Sequence, residues 1–248
     1  GLGGAWSLRD LGVYPGADMT SQLAKGLVRT YVKELTVDYD SSVVITFNTN
    51  YTFPKGIRII FKNGATFGGT ATNFDLNGNL VDAPIDRPLF ASTLGVKNVR
   101  TTNRQTPAEW FSAVADNSTD NKAAFDRAQA SAPDKSQKVL LPSFGTYQIN
   151  SVFTQTASFV GYTGAKVKYN PSASGTGITM WTMNEDSISL TNIIFDGSVK
   201  VNTGVRVAAS MTDCEIAYCT VTGMTQLTGE TSPAMGIYFT TGVDRLNI

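Results

Sequence analysis

The sequence predicts a mainly β chain whose later part is a parallel β-helix, reached through a short capping helix and preceded by a smaller β-rich module. Three observations predict it. Apolar runs are short and lie between abundant turn formers, 23 glycines with frequent Thr, Ser and Asn, which suits many short strands rather than a helix bundle. Beyond residue 150 a strand pattern recurs: the segment from Ile188 to Gly197 aligns with that from Cys214 to Gly223 at an offset of 26. Between residues 115 and 149 a capped helical segment runs directly into two strands.

Residues 1–12 are glycine-rich at their start and read as a linker or neck. Residues 13–106 form the expected N-terminal β-rich module with a short helix. Asp18-Met19-Thr20-Ser21-Gln22-Leu23 reads as a cap that opens the helix, and short strands such as Ile59-Ile60-Phe61 follow. A faint repeat at an offset near 100 ties this module to later residues. Asp18 to Leu23 parallels Asp120 to Phe125, Thr49 to Phe53 parallels Gly145 to Ile149, and Ile59 to Phe67 parallels Phe159 to Val167, with Gly-Ala in the same register. The chain thus starts a helix-then-strands module twice. Pro84, Pro88 and the Thr/Asn/Arg cluster at residues 100–107 mark the boundary between the copies.

Residues 107–248 hold the second copy. Thr119 or Asp120 can accept the free N–H groups at the helix start, while Ala124, Phe125 and Ala128 recur at helical spacing and make one apolar face. Val139-Leu140-Leu141-Pro142 and Gly145-Thr146-Tyr147-Gln148-Ile149 read as two strands about a Pro/Gly turn. Coils of about 26 residues, apolar at alternate positions with Gly at the corner, stack Leu, Ile, Val or Cys inward on the coil below. Leu190, Ile216 and Leu246 are therefore expected to share one interior. A third copy begins at Asp244-Arg245-Leu246-Asn247-Ile248 and stops in mid-pattern, so residues 107–248 are expected to be the capping helix and first coils of a longer, truncated solenoid.

The acidic turn, helix and strand pair from Ala115 to Ile149 resemble the beginning of the pectate-lyase-like right-handed, single-stranded parallel β-helices. In that family a Gly-Asp-Gly-x-Thr-Asp-Asp type turn opens a helix that closes the end of the solenoid. Here Ala115 and Asn117 replace both glycines and Asn121 the second aspartate, so the capping role carries over and an ion-binding or catalytic role of the turn does not. The Gly-Leu-Gly-Gly-Ala lead is similar to the linkers of phage tail fibres and tailspikes. Together the resemblances imply a phage tailspike of the virion: a homotrimeric receptor-binding protein, attached to tail or baseplate proteins, that recognises and depolymerises a bacterial surface polysaccharide, capsule or O-antigen. Its groove would lie in the middle of the solenoid or between subunits, and residues 1–248 alone would show no turnover. Two alternatives stay open: a secreted, extracellular bacterial polysaccharide lyase or hydrolase of the same superfamily working as a monomer, and a non-catalytic virion adaptor or fibre protein.

Composition narrows the chemistry. With 20 basic and 20 acidic side chains and no Lys/Arg block, the chain lacks the footprint of a nucleic-acid or anionic-membrane binder, while neutral carbohydrate remains compatible. The absence of histidine excludes Ser-His-Asp and Cys-His catalysis and the usual zinc sites. Cys214 and Cys219 match neither a redox motif nor a zinc pair and read as small buried thiols. No metal cluster, phosphate loop or nucleotide fingerprint is visible, so no cofactor is expected. Apolar runs fall far short of the ~20 residues of a membrane span, and no signal-peptide pattern opens the chain.

Polysaccharide cleavage without histidine rests on paired carboxylates. Asp213 and Glu215 are the best local pair. Two residues apart on a strand, they share its outer face, with Cys214 and Ile216 inward and Cβ atoms roughly 6–7 Å apart. Glu185-Asp186 and Asp196-Gly197 read as turns. Trp110, Trp181, Tyr162 and Tyr238 are the aromatic candidates for stacking on sugar rings, Trp110 reading also as core.

Overall fold

The computed structural model describes residues 4–29, 31–162, 164–171, 178–226 and 233–244. The chain is mainly β with few helices, and its strands pair in parallel. It divides into two compact units, Gly1–Ser112 with Ala130–Gln137, and Ala113–Gln129 with Lys138–Ile248.

In the first unit β1 (Gly4–Ser7) precedes α1 (Thr20–Arg29), and β2 (Val32–Val37), β3 (Val44–Thr46), β4 (Tyr51–Thr52), β5 (Arg58–Phe61), β6 (Thr66–Gly68), β7 (Phe74–Asp75), β8 (Leu80–Asp82) and β9 (Val96–Lys97) follow. The chain visits three sheets in turn, ordered β1-β2-β5-β8, β3-β6 and β4-β7-β9. Register partners Ile45 and Phe67, Ile59 and Val81, and Phe74 and Val96 are each 22 residues apart. Sequence reading anticipates a β-rich module here but misses this period, because strands of two to four residues carry too few positions for alternation to show. The interior is a phenylalanine stack, with Phe47 against Phe74 at 4.7 Å and Phe61 against Phe67 at 4.9 Å between ring centroids. Helix α1 buries Leu23 and Leu27. Asp18 caps it, accepting the Thr20 N–H at 3.0 Å, and binds the Asn48 N–H at 3.0 Å and the Thr49 hydroxyl at 2.8 Å as well. The unit also contains β10 (Gln105–Pro107) and a 3-10 turn at Ala108–Phe111.

The second unit opens with β11 (Asp116–Asp120) and α2 (Lys122–Ala130). Then come β12 (Lys138–Leu141), β13 (Thr146–Ile149), β14 (Phe153–Gln155), β15 (Phe159–Gly161), β16 (Lys166–Tyr169), β17 (Thr179–Met183), β18 (Ser189–Thr191), β19 (Ile194–Val201), β20 (Thr203–Val207), β21 (Glu215–Ala217), β22 (Thr220–Met224) and β23 (Met235–Phe239). Strands β12, β15, β18 and β21 lie in a first sheet, β11, β13, β16, β19 and β22 in a second, and β14, β17, β20 and β23 in a third. From β12 onward the chain repeats first, second, third. Leu190 pairs with Ile216 and Phe195 with Val221, which is the offset of 26 seen in the sequence. Leu190 and Ile216 are buried as expected, whereas Leu246 and the rest of the third copy from Arg245 lie outside the described residues.

Asp120, not Thr119, caps α2: its carboxylate accepts the Lys122 N–H at 3.2 Å, while the Thr119 N–H and hydroxyl are turned to Asp116. The apolar face of Ala124, Phe125 and Ala128 is buried, and the Phe125 ring lies 5.7 Å from Phe153 and 5.9 Å from Phe159. One pairing of the faint repeat is displaced by a strand. Tyr51 sits on the third strand after α1 and Tyr147 on the second after α2, so Tyr51-Thr52 corresponds to β14 and not to β13. The Gly-Ala alignment holds, since Gly64 and Gly164 share a left-handed φ of 90° that a turn needs and only glycine adopts freely.

Candidate functional site

The expected carboxylate pair lies where the third sheet of the second unit hands over to the first. Glu215 opens β21 half-buried, with Cys214 and Ile216 buried inward as alternation requires. Asp213 is exposed but precedes the strand with a left-handed φ of 56°, so the extended-strand separation expected for the pair does not apply to it. Its N–H donates to the Asp244 carbonyl at 3.2 Å. One cycle earlier, Asp186 fastens the same corner by accepting the Thr212 N–H at 2.7 Å, so Glu185-Asp186 is a turn as predicted. Asp196-Gly197 is not a corner. Both residues belong to β19, and the bend comes after them at Ser198 and Val199, both left-handed, where the register with β22 shifts.

Two of the aromatic candidates are core. Trp110 is buried with its indole N–H on the Pro84 carbonyl at 2.7 Å. Trp181 is buried against Phe153 at 4.3 Å and donates to the Gln155 side chain at 2.7 Å. Tyr162 and Tyr238 are exposed, as a sugar-stacking role requires.

The edge between the first and second sheets gathers Tyr162 with two rings that sequence reading missed. Phe144 lies between β12 and β13, Tyr162 between β15 and β16, and Tyr218 between β21 and β22; they are 76%, 39% and 85% exposed. Strands in a sheet stand about 4.7–4.9 Å apart, so Phe144 and Tyr162 are one rung apart and Tyr162 and Tyr218 two. The corner is stiff. The Ser143 N–H donates to the Tyr147 hydroxyl at 3.1 Å, and Phe144 lies over the Gly164 turn. Gly161 brings its backbone so close to the Asn192 carbonyl that a Cβ would collide.

Tyr218 is the most telling of these residues. It occupies the corner that Asn192 fills one cycle earlier, with φ of 56° and 57°. Asn accepts the left-handed region readily, whereas a bulky side chain there is strained by about 1 kcal/mol or more. A strained tyrosine that is 85% exposed has little packing to hold it there. An aromatic residue at a repeat position where the neighbouring copy has Asn was the available signal.

Beside this edge the outer face of the second sheet is polar. Lys168 pairs in register with Asp196, and Lys166 Nζ lies 2.6 Å from the Asp196 carboxylate. Burial pushes that carboxyl up, but the Lys166 bond, the Ser198 N–H and the charges of Lys166 and Lys168 outweigh it and hold it below its usual 3.8. Further along, Gln148 Nε2 donates to the Ser118 carbonyl, Asn170 Nδ2 to Gln148 Oε1 and Lys200 Nζ to Asn170 Oδ1, a chain of side chains locked at 2.7–3.1 Å. Flat exposed rings beside a polar face are the surface chemistry that carbohydrate recognition uses.

Burial pushes both cysteine thiols up, which disfavours the thiolate, and neither is in a disulfide. Cys214 is buried as expected, while Cys219 is only half-buried. Among the described residues no group of three or more His, Cys, Asp or Glu could hold a metal ion, and no helix is long and apolar enough to cross a membrane. No family model, curated protein or solved structure matches the chain.

Proposed function

We propose that the chain is the glycan-recognising part of a phage tailspike, a homotrimeric virion protein that binds a bacterial capsule or O-antigen and depolymerises it. The observation that carries this reading is the exposed ring edge of Phe144, Tyr162 and Tyr218 beside the polar face of the second sheet. The proposal includes a right-handed β-helix for the second unit. Its support is the repeating order of three parallel sheets, because crossovers between parallel strands are right-handed in about 98% of cases. Asp213 and Glu215 are the candidates for cleavage.

Purified capsules and O-antigens from a panel of bacteria provide the test. At least one is expected to bind, and the intact protein to cut its chain with the release of reducing ends, a release that Asp213→Asn or Glu215→Gln abolishes, whereas residues 1–248 alone bind without turnover. Binding by the intact protein without any new reducing ends would favour a non-catalytic adaptor. Failure to bind every glycan would remove the reading.

A further inference from the structure

We propose a second saccharide site, in the first unit, shaped for a sugar that carries a carboxylate. It goes beyond the ring edge of the second unit and does not depend on it. An open pocket of about 480 Å³ is lined by Lys33, Lys55 and Arg100. Sharing Lys33 and Lys55, a second pocket of about 320 Å³ has Val28, Tyr31 and Pro54 on its wall. Both volumes fall in the range of roughly 300–1,000 Å³ usual for small-ligand sites.

Charge decides the class of ligand. Arg58, on the same surface, is neutralised by Asp82 and by Glu34 at 3.8 Å. Lys33, Lys55 and Arg100 have no ion-pair partner among the described residues, which leaves the pocket with an excess of positive charge in a chain whose net charge is +0. Asn79 is buried beneath the pocket, its amide bonded to the Ile57 N–H at 3.0 Å and the Pro54 carbonyl at 2.7 Å. Those bonds fix the turn carrying Lys55.

The apolar wall decides the rest. Tyr31 and Val28 are 83% and 82% exposed next to the cations, an arrangement a bare inorganic anion would leave unused. An acidic sugar has an apolar C–H face to lie on Tyr31 and a carboxylate to reach Lys33, Lys55 and Arg100. Lys and Arg donate charge-assisted bonds to a carboxylate, and a ring under the sugar adds contact area at little entropic cost.

Titration calorimetry on the 248-residue chain, with tri-galacturonic acid, its methyl ester and inorganic phosphate as probes, tests the proposal. The acid is expected to bind and to weaken with added salt, and the ester and phosphate each to bind at least about tenfold more weakly. Replacing Lys33, Lys55 and Arg100 by Gln is expected to abolish binding of the acid, and Tyr31→Ala to weaken it about tenfold, with unchanged melting temperatures. A Phe144→Ala/Tyr218→Ala variant is expected to bind tri-galacturonic acid normally, which separates this site from the ring edge. The proposal is overturned if the acid does not bind, if the triple Gln variant binds it unchanged, or if phosphate binds as well as the acid and Tyr31→Ala has no effect.

Discussion

Asn121 shows how much one buried side chain can organise. Its Oδ1 accepts the Val114 N–H at 2.6 Å, and its Nδ2 faces the carbonyls of Thr119 at 2.8 Å, Val114 at 3.0 Å and Gln148 at 3.2 Å. An aspartate here would set a carboxylate against three carbonyl oxygens with no hydrogen to donate. Asn121→Asp is therefore expected to destabilise the protein by about 2–3 kcal/mol, read as a lower urea midpoint at pH 7; an unchanged midpoint would contradict this account of the turn. Asp18 acts through charge. Burial pushes its carboxyl up, but bonds from Thr20, Asn48 and Thr49 outweigh it and lower it from 3.8 to about 2. Its contribution is thus complete above the unfolded value and is lost as pH falls from near 3.8 towards 2. Asp18→Asn should flatten that part of the acid-unfolding curve while leaving its neutral limb parallel to wild type. Tyr218 carries the opposite trade. Tyr218→Asn, matching Asn192, should raise the melting temperature slightly by relieving left-handed strain, and should weaken glycan binding. A lowered melting temperature would mean that the tyrosine is there for packing.

At the scale of elements, α2 packs its apolar face into the aromatic core of its unit. Phe125 touches Tyr147, Phe153, Phe159 and Trp181, rings drawn from four different strands. Phe125→Ala is expected to cost about 3–5 kcal/mol and to raise hydrogen exchange in β13, β14 and β15. Exchange unchanged in those strands would show that the helix does not close the interior. This helix and the strands after it are legible in the sequence because caps, apolar spacing and a Pro/Gly turn are all local signals. So is the register of Leu190 on Ile216, because the pattern from Ile188 to Gly197 returns after 26 residues with the same spacing. The 22-residue cycle of the first unit is not legible, since its strands are too short to alternate and its corners are held by side chains reaching between cycles, such as Asn77 to the Phe53 carbonyl and Asn98 to Asp75. Nor is the ring edge as a whole: Tyr162 is a candidate in the sequence, but Phe144 and Tyr218, in the turns of other cycles, become its neighbours only when the strands stack. Asp213 was legible as an outward acid but not as a residue that has left the strand.

At the scale of the whole molecule, balanced charge and the ring edge fit recognition of a carbohydrate better than of a nucleic acid. A tailspike is expected to be a trimer in light scattering, its flanks buried against those of its partners, and a monomer would favour the secreted-enzyme alternative. The central claim is that the aromatic edge recognises a glycan, and comparing wild type with Phe144→Ala, Tyr218→Ala and the double variant, on a polysaccharide that wild type binds, tests it most directly. Each single change is expected to weaken binding about tenfold, the double change to remove it, and none to lower the urea midpoint. Wild-type affinity in the double variant would contradict the claim.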